Sequence, residues 1–484
     1  MLYCIILLPL LLGIVCAFTK EEQRNSRTVF LLIGQSITLA LVLWCGLSGR
    51  EFSTTPWHMT SSLTFSLQMD AVGAFFCALT AFCWLLTIPY ANRYMTHEGG
   101  EPHFYAFLLT TEAAVFGTAL AGDFITFYLF FEMTTLLSTP LVLHELTKKA
   151  LLGASKYLYY SVGGGFMALF GITVLYFNCD SLAFTAGGTL QSGHATPLVM
   201  GAILCVIIGF GAKAGMYPLH NWLPSAHPVA PAPAHALLSG IIAKCGVLGV
   251  LRLIYFVIGP DTIRGTWIQT TCLLLTLLTI AMGSFMGCLE LGLKKRLAYS
   301  SISQISYVLL GVFILSEQGV MGALLQLLFH ALAKIAIFQS AGAIIFLTGN
   351  TRVDQFRGLG RRIPLTFVCF TLVSLSLIGI PPFGGFWSKW YLAVAALNAL
   401  PGWLAYLTPA VLIASALLTA GYLFHPIILA FFPGEDCPAE LTTRIHEPPI
   451  MMISLVIFAA SCGILGFLPN FILSLIERIA GTVL

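Results

Sequence analysis

The sequence is poor in charge. Only 9% of its 484 residues are Asp, Glu, Lys or Arg, against 58% hydrophobic residues. A soluble chain of this length would hold two or three domains with solvated faces, and no polar stretch here is long enough to build one. The longest, GEDCPAELTTRIHEPP at 434–449, reads as a loop. Metal and redox motifs are lacking as well. Thirteen cysteines are scattered mostly through apolar runs (Cys4, Cys45, Cys205, Cys369), with no C-x-x-C pair and no Cys/His metal spacing, so they read as small core residues. A basic start is also missing. In MLYCIILLPLLLGIVCAFTKEEQRNSR the charges follow the apolar run, so this stretch reads as a first membrane helix with its start outside, not as a secretory signal. The one G-x-G-x-x-A match, Gly209 to Ala214, lies inside an apolar run without a preceding strand and is a decoy. Nothing else suggests nucleotide, haem, iron–sulfur or nucleic-acid binding, and no cofactor or metal is expected.

What is present is apolar length. Runs of about 20 residues, enough to cross a hydrocarbon core of about 30 Å, recur from end to end. About fourteen are counted: 2–18, 28–48, 69–91, 103–121, 123–143, 153–176, 197–217, 233–257, 268–288, 296–315, 319–347, 364–398, 404–432 and 449–475. Basic residues fall in alternate connections. One set holds Lys20, Arg24, Arg27, Arg93, Lys148, Lys149, Lys294, Lys295, Arg296, Arg352, Arg357, Arg361, Arg362 and Arg444; the other holds only Arg50, Arg264 and Arg478. The excess of Lys and Arg marks the cytoplasmic side. Both termini then lie outside, in the inner membrane of a prokaryote. Small residues such as Gly163, Gly164 and Gly165 suit close helix packing in lipid.

Two of these runs are broken. Five prolines (Pro218, Pro224, Pro228, Pro231, Pro233) fall between Lys213 and Lys244, and Pro381-Pro382 with Gly384-Gly385 precede Lys389. Proline stops a helix, and freed backbone groups at membrane depth survive only against protein or water. A lysine beside each break, five runs apart, suggests two five-helix repeats. Five crossings are an odd number, so the repeats are inverted. An all-α polytopic fold with discontinuous helices 7 and 12 follows. Its parts are an N-terminal three-helix segment (1–102), a first repeat (103–260), a second repeat (261–432) and a C-terminal loop with the last helix (433–484).

Ionisable groups inside such runs are functional candidates by default. Glu132 lies near the middle of FITFYLFFEMTTLLSTPLVL, too far from either end to reach an interface. A protonated structural role competes with an ion-path role there and at Lys213 and Lys244. Lys389 can also serve the carbonyls freed by its break. His330 and Lys334, four apart, share one helix face and fit a relay as well as a satisfied core pair. Lys156 lies near a helix start and can snorkel inward. Asp123 and Asp70 begin runs, where a carboxylate caps free amides. Glu112 and Glu290 are weaker candidates, and His220, His227 and His235 belong to the first break, where they could line water.

At these residues the chain resembles a known family. FYLFFEMTTLLS, AKAGMYPLHNWLPSAHPVAPAPAHALLSGIIAKCGVLGVLR, LKKRLAYSSISQISY, FHALAKIAIFQSAG and GIPPFGGFWSK are similar to the antiporter-like subunits shared by respiratory complex I, Mrp-type cation/proton antiporters and membrane-bound energy-converting hydrogenases. The resemblance covers roughly 120–395 and implies fourteen helices, two inverted five-helix repeats and a charged chain along the midplane. It also implies that Glu132 and Lys213 form a coupling pair, Lys244 and His330 are central relays, Lys389 is the exit-side group, and Lys334 fills a commonly basic position nearby. Two departures stand out: His227-Pro228 replaces an acidic-Ala-type sequence, and the chain ends at Leu484 without a long lateral helix. Partners are then other subunits of a membrane complex, homologous ones included, with lipid around them. The transported ion is H+, or Na+ as well in the second reading, an Mrp-type subunit without redox chemistry. A self-contained organic-solute transporter is a poorer match, because no solute-contact pattern is visible.

Overall fold

The computed structural model describes residues 1–55, 57–58, 64–191, 193–434 and 443–483. Half of the polar loop expected at 434–449, namely 435–442, and the terminal Leu484 lie outside the described residues. Among the described residues the regular structure is helical, save for isolated bridges and two pairs of two-residue antiparallel strands, Phe52–Ser53 with Gln68–Met69 and Trp57–His58 with Thr64–Phe65.

The first six helices are α1 (Leu2–Ala17), α2 (Arg24–Leu47), α3 (Ala71–Glu98), α4 (Glu101–Ala119), α5 (Phe124–Val142) and α6 (Lys148–Tyr176). Helix α7 (Pro197–Ala214) ends on Gly215, the chain makes a short turn of helix at Leu223–Ala226, and α8 runs Ala232–Ile258. Then follow α9 (Trp267–Leu289), α10 (Leu293–Phe313) and α11 (Glu317–Thr348). Helix α12 (Pro364–Ile378) ends on Gly379 before α13 (Gly384–Ala399), and α14 (Trp403–Phe431), α15 (Pro449–Phe467) and α16 (Pro469–Gly481) complete the chain. Among the described residues, ten helices are long and apolar enough to cross a membrane, while α1 and α12 are apolar but shorter.

Local chemistry explains the ends. Asp70 accepts from the Gly73 amide at 2.8 Å and Asp123 from the Thr126 amide at 2.7 Å, so both carboxylates cap helices, as expected of them. Helices α7 and α12 both close on left-handed glycines, Gly215 at φ +79° and Gly379 at φ +90°, a conformation that a side chain would oppose. One expectation is corrected. The last apolar run, expected as a single span over 449–475, is two helices parted at Leu468–Pro469 and reaching Gly481, because proline at the second start cannot continue the first helix's ladder.

Hydrogen bonds gather the connections into two groups. On one side, Gly100 N donates to Glu21, Lys294 to the Pro228 and Ala230 carbonyls, Leu293 N to Thr351 O, and Ile445 N to Arg362 O. On the other, Gly122 N donates to Ser66 O, Phe124 N to Leu182 O, Thr189 N to Val257 O, and Arg264 to Leu315 O. Arg252 also holds Asp70 there with both guanidinium arms. The first group carries most of the basic residues.

The bundle is apolar inside and out. Ile33 and Ile37 of α2, Phe166 and Phe170 of α6, and Ile413 and Leu417 of α14 face outward, as lipid contact demands. Helix α8 is buried along its whole length and α11 nearly so. Their neighbours approach closely through small residues: Gly240 of α8 lies against Ile335 of α11, and Gly164 of α6 against the Gly209 carbonyl of α7. A Cβ at Gly164 would meet that oxygen at 2.6 Å and Ala212 Cβ at 2.8 Å, whereas one at Gly163 would meet nothing within 4 Å. Gly164→Val is therefore expected to destabilise the protein by about 1–3 kcal/mol and Gly163→Val to leave it unchanged. Thermal unfolding of the two variants in detergent checks the contrast; equal midpoints would reject the α6–α7 packing.

Candidate functional site

The buried cations are best taken in order along the chain. Lys213 is the last residue but one of α7 and is fully buried. Its ammonium donates to Phe131 O at 3.1 Å, to Thr135 Oγ1 at 2.8 Å and to Thr134 Oγ1, and it lies 4.4 Å above the Phe131 ring. Three N–H groups thus meet three acceptors, which is the coordination of a charged lysine. All three belong to α5. Glu132, on the same helix between them, is half-buried, its Oε1 without a donor among the described residues, and it packs against Gly165 of α6. No ion pair joins Glu132 to Lys213 among the described residues, although each lies within the electrostatic reach of the other.

Lys244 is fully buried in α8, and its Nζ donates to the Ser239 carbonyl at 2.5 Å. That carbonyl belongs to a π-helical stretch, Leu238–Ile242, just before the lysine. The wider turn displaces the regular backbone ladder and leaves an acceptor for the ammonium. Ser239 Oγ also meets Ser301 Oγ of α10 at 2.7 Å.

On α11 the two expected residues form part of a longer stripe. Gln326, His330, Lys334 and Phe338 follow one another at intervals of four and so share one face. Lys334 donates to Leu297 O of α10 at 3.0 Å and lies 5.4 Å above the Phe338 ring. His330 is buried, has no hydrogen-bond partner among the described residues, and lies within reach of the charges of Lys244, Lys334 and Lys389. Gln326 continues the line, donating to Gln304 Oε1 at 2.8 Å and accepting from Ser388 Oγ at 2.6 Å. Lys389 follows Ser388, and its Nζ donates to the Leu377 and Ile378 carbonyls at 2.5 and 2.6 Å. These are the last carbonyls of α12, left free by the break, and a cation there also opposes the helix dipole.

The weaker candidates separate. His235 of α8 is buried with its ring centre 3.7 Å from that of Phe338 and 4.5 Å from that of His227, so it joins the interior cluster. Asp123 is consumed by its cap, taking Ser66 Oγ at 2.6 Å and Thr126 Oγ1 at 2.8 Å as well. Lys156 is exposed and donates to Ser225 Oγ at 3.3 Å, at the rim of the first break.

Sequence reasoning missed Thr134 and Thr135, the π-turn at Ser239, and the Gln304–Gln326–Ser388 line. Gln326 was findable, since it stands four residues before His330. The threonines were visible only as neighbours of Glu132, and nothing in the sequence marks the π-turn.

Lipid-facing helices around buried lysines, two of which flank broken helices, define an antiporter-like membrane protein. The transmembrane family described as NADH:quinone oxidoreductase/Mrp antiporter matches residues 121–416, and the chain belongs to it. The chain is 31% identical over 440 residues to NADH-quinone oxidoreductase subunit N of Desulforudis audaxviator, covering 87% of this chain and 84% of the relative. To an Na(+)/H(+) antiporter subunit of Alkalihalophilus pseudofirmus it is 28% identical over 474 residues, 96% of this chain and 92% of the relative. In the Mrp complex from Dietzia sp. DQ12-45-1b a chain 22% identical has the same fold, with a TM-score of 0.87 over 100% of this chain and 97% of that one.

The Lys389 contacts yield a test. Lys389→Met leaves two buried carbonyls without a donor, a loss of about 1–3 kcal/mol, and should lower the thermal midpoint, while Lys389→Arg restores most of it. A methionine variant as stable as the parent would deny Lys389 its part in holding the break.

Proposed function

We propose that the chain is a proton-translocating subunit of a multisubunit membrane complex, of the complex I-like or membrane-bound hydrogenase type. Protons move along Glu132, Lys213, Lys244, His330, Lys334 and Lys389. One observation carries this reading: cations on α7, α8, α11 and α13, the first three fully buried, are each held by neutral oxygens alone, with His330 among three of them. A lysine held by neutral acceptors gives up its proton more readily than one paired with a carboxylate. His235 extends the interior cluster, while Asp123 and Lys156 stand at its edges.

The arrangement around Glu132 supplies a driving step. Lys213 has two alternatives, the Phe131–Thr134–Thr135 cradle and the Glu132 carboxylate, and both lie on α5. At an effective dielectric near 20, unit charges about 4 Å apart attract by ~4 kcal/mol and about 8 Å apart by ~2 kcal/mol. The difference, about 2 kcal/mol, matches the roughly 2.3 kcal/mol needed per charge against 100 mV. Exchange between cradle and carboxylate is therefore large enough to drive one proton step.

The finer architecture belongs to the same reading: fourteen crossings, with 103–260 and 261–432 as inverted five-helix repeats around helices 7 and 12, flanked by 1–102 and 433–484. In its support, the two groups of connections alternate along the chain, and both breaks end on a left-handed glycine with a lysine nearby. The basic group lies on the cytoplasmic side of a prokaryotic inner membrane, with both termini outside. Homologous antiporter-like subunits are the neighbours, and lipid covers the remaining face. The similarity to a protein of an Na(+)/H(+) antiporter favours a second reading, an Mrp-type subunit that exchanges Na+ for H+ without a redox partner. Identification of copurifying subunits separates the two.

Lys213 provides the test of mechanism. Arginine keeps the charge and can bond the same cradle, but it stays charged at any accessible pH. Lys213→Arg and Lys213→Ala should both assemble and both lose ion translocation in sealed vesicles. Normal pumping by Lys213→Arg would end the proton-release role of this residue.

A further inference from the structure

Away from the central line, a second carboxyl lies at membrane depth. Glu112 is in the middle of α4 and fully buried, and its only polar side-chain partner among the described residues is Gln35, equally buried in the middle of α2. The Gln35 amide nitrogen donates to Glu112 Oε2. Two atoms remain without a partner among the described residues, Glu112 Oε1 and Gln35 Oε1. Both are acceptors if Glu112 is ionised. No ion pair involves Glu112 among the described residues, and the nearby threonines spend their hydroxyls on their own helices, Thr38 on Gly34 O and Thr111 on Phe107 O.

Donor and acceptor counting settles what is missing. An ionised carboxylate is acceptor-only, whereas a carboxylic acid is one donor and one acceptor. A carboxamide is also both. A proton on Glu112 Oε1 turns two orphaned acceptors into a donor and its acceptor: Oε1–H donates to Gln35 Oε1 while Gln35 Nε2–H donates to Glu112 Oε2. One hydrogen satisfies both atoms, and a ring of two parallel hydrogen bonds closes between α2 and α4. The alternative leaves an uncompensated charge in hydrocarbon.

We propose that Glu112 and Gln35 form a one-proton site in the N-terminal helices, a closed acid–amide pair separate from the Glu132–Lys389 line. The pair is neutral and static. It joins α2 to α4 at mid-depth and releases no proton during turnover. It does not depend on the central residues acting as a proton path.

Infrared spectroscopy of the assembled complex tests the protonation state. In the spectrum of the native protein minus that of Glu112→Gln at neutral pH, the carbonyl stretch of a protonated, hydrogen-bonded carboxyl should appear. A carboxylate pair of bands in its place would overturn the proposal. Glutamine at 112 can form the same two-bond ring with Gln35, so Glu112→Gln should assemble and translocate ions as the native protein does. An assembled Glu112→Gln complex that has lost translocation would show that the proton is used in turnover and would also overturn it. Gln35→Leu guards against failure of the first variant. It keeps the acid but removes the amide, so the same carbonyl band should persist and shift upward. A band that stays in place would mean that no such pair exists.

Discussion

An ammonium group in hydrocarbon needs oxygen acceptors that a regular helix offers poorly. Regular helices spend their carbonyls on their own amides, so Lys213, Lys244 and Lys389 depend on a departure from regularity or on hydroxyls, while Lys334 shares the Leu297 carbonyl within α10. Lys389 uses the carbonyls at the end of α12, and Lys244 uses one exposed by a π-turn. Lys213 draws on two threonines and one carbonyl of α5. The prolines, the left-handed glycines and the π-turn follow from the same requirement.

The geometry of the bundle meets that requirement at its centre. The two helices most enclosed by protein, α8 and α11, carry Lys244, His235, His330 and Lys334. Charges placed there are remote from lipid on every side. The outer helices carry bulky apolar side chains outward and glycines inward, as at Gly164 and Gly165. Gly165 has a further consequence, since its missing side chain is the space that the Glu132 carboxyl fills.

Much of this was legible from residues. Prolines and glycines located both breaks, because their backbone restrictions hold in any surroundings. Apolar run length located most helices, and single ionisable residues within runs pointed to Glu132, Lys213, Lys244, His330 and Lys334. The expected Glu132–Lys213 pair was less legible. Which oxygen a lysine chooses is a matter of a few ångströms, decided by how α5 is rotated against α7. The kink at Leu468–Pro469 was hidden because an apolar run reads the same whether straight or bent.

The complete enclosure of α8 bears on how the protein is made. A helix that touches no lipid in the finished bundle is held there by its neighbours, and two of them, α10 and α11, are synthesised after it. Between its own emergence from the ribosome and theirs, α8 resides in a half-built bundle with Lys244 and its π-turn facing an open side. In the mature fold its apolar surface packs against protein and not hydrocarbon. In that interval the same surface keeps the segment in the membrane until the later helices close around it.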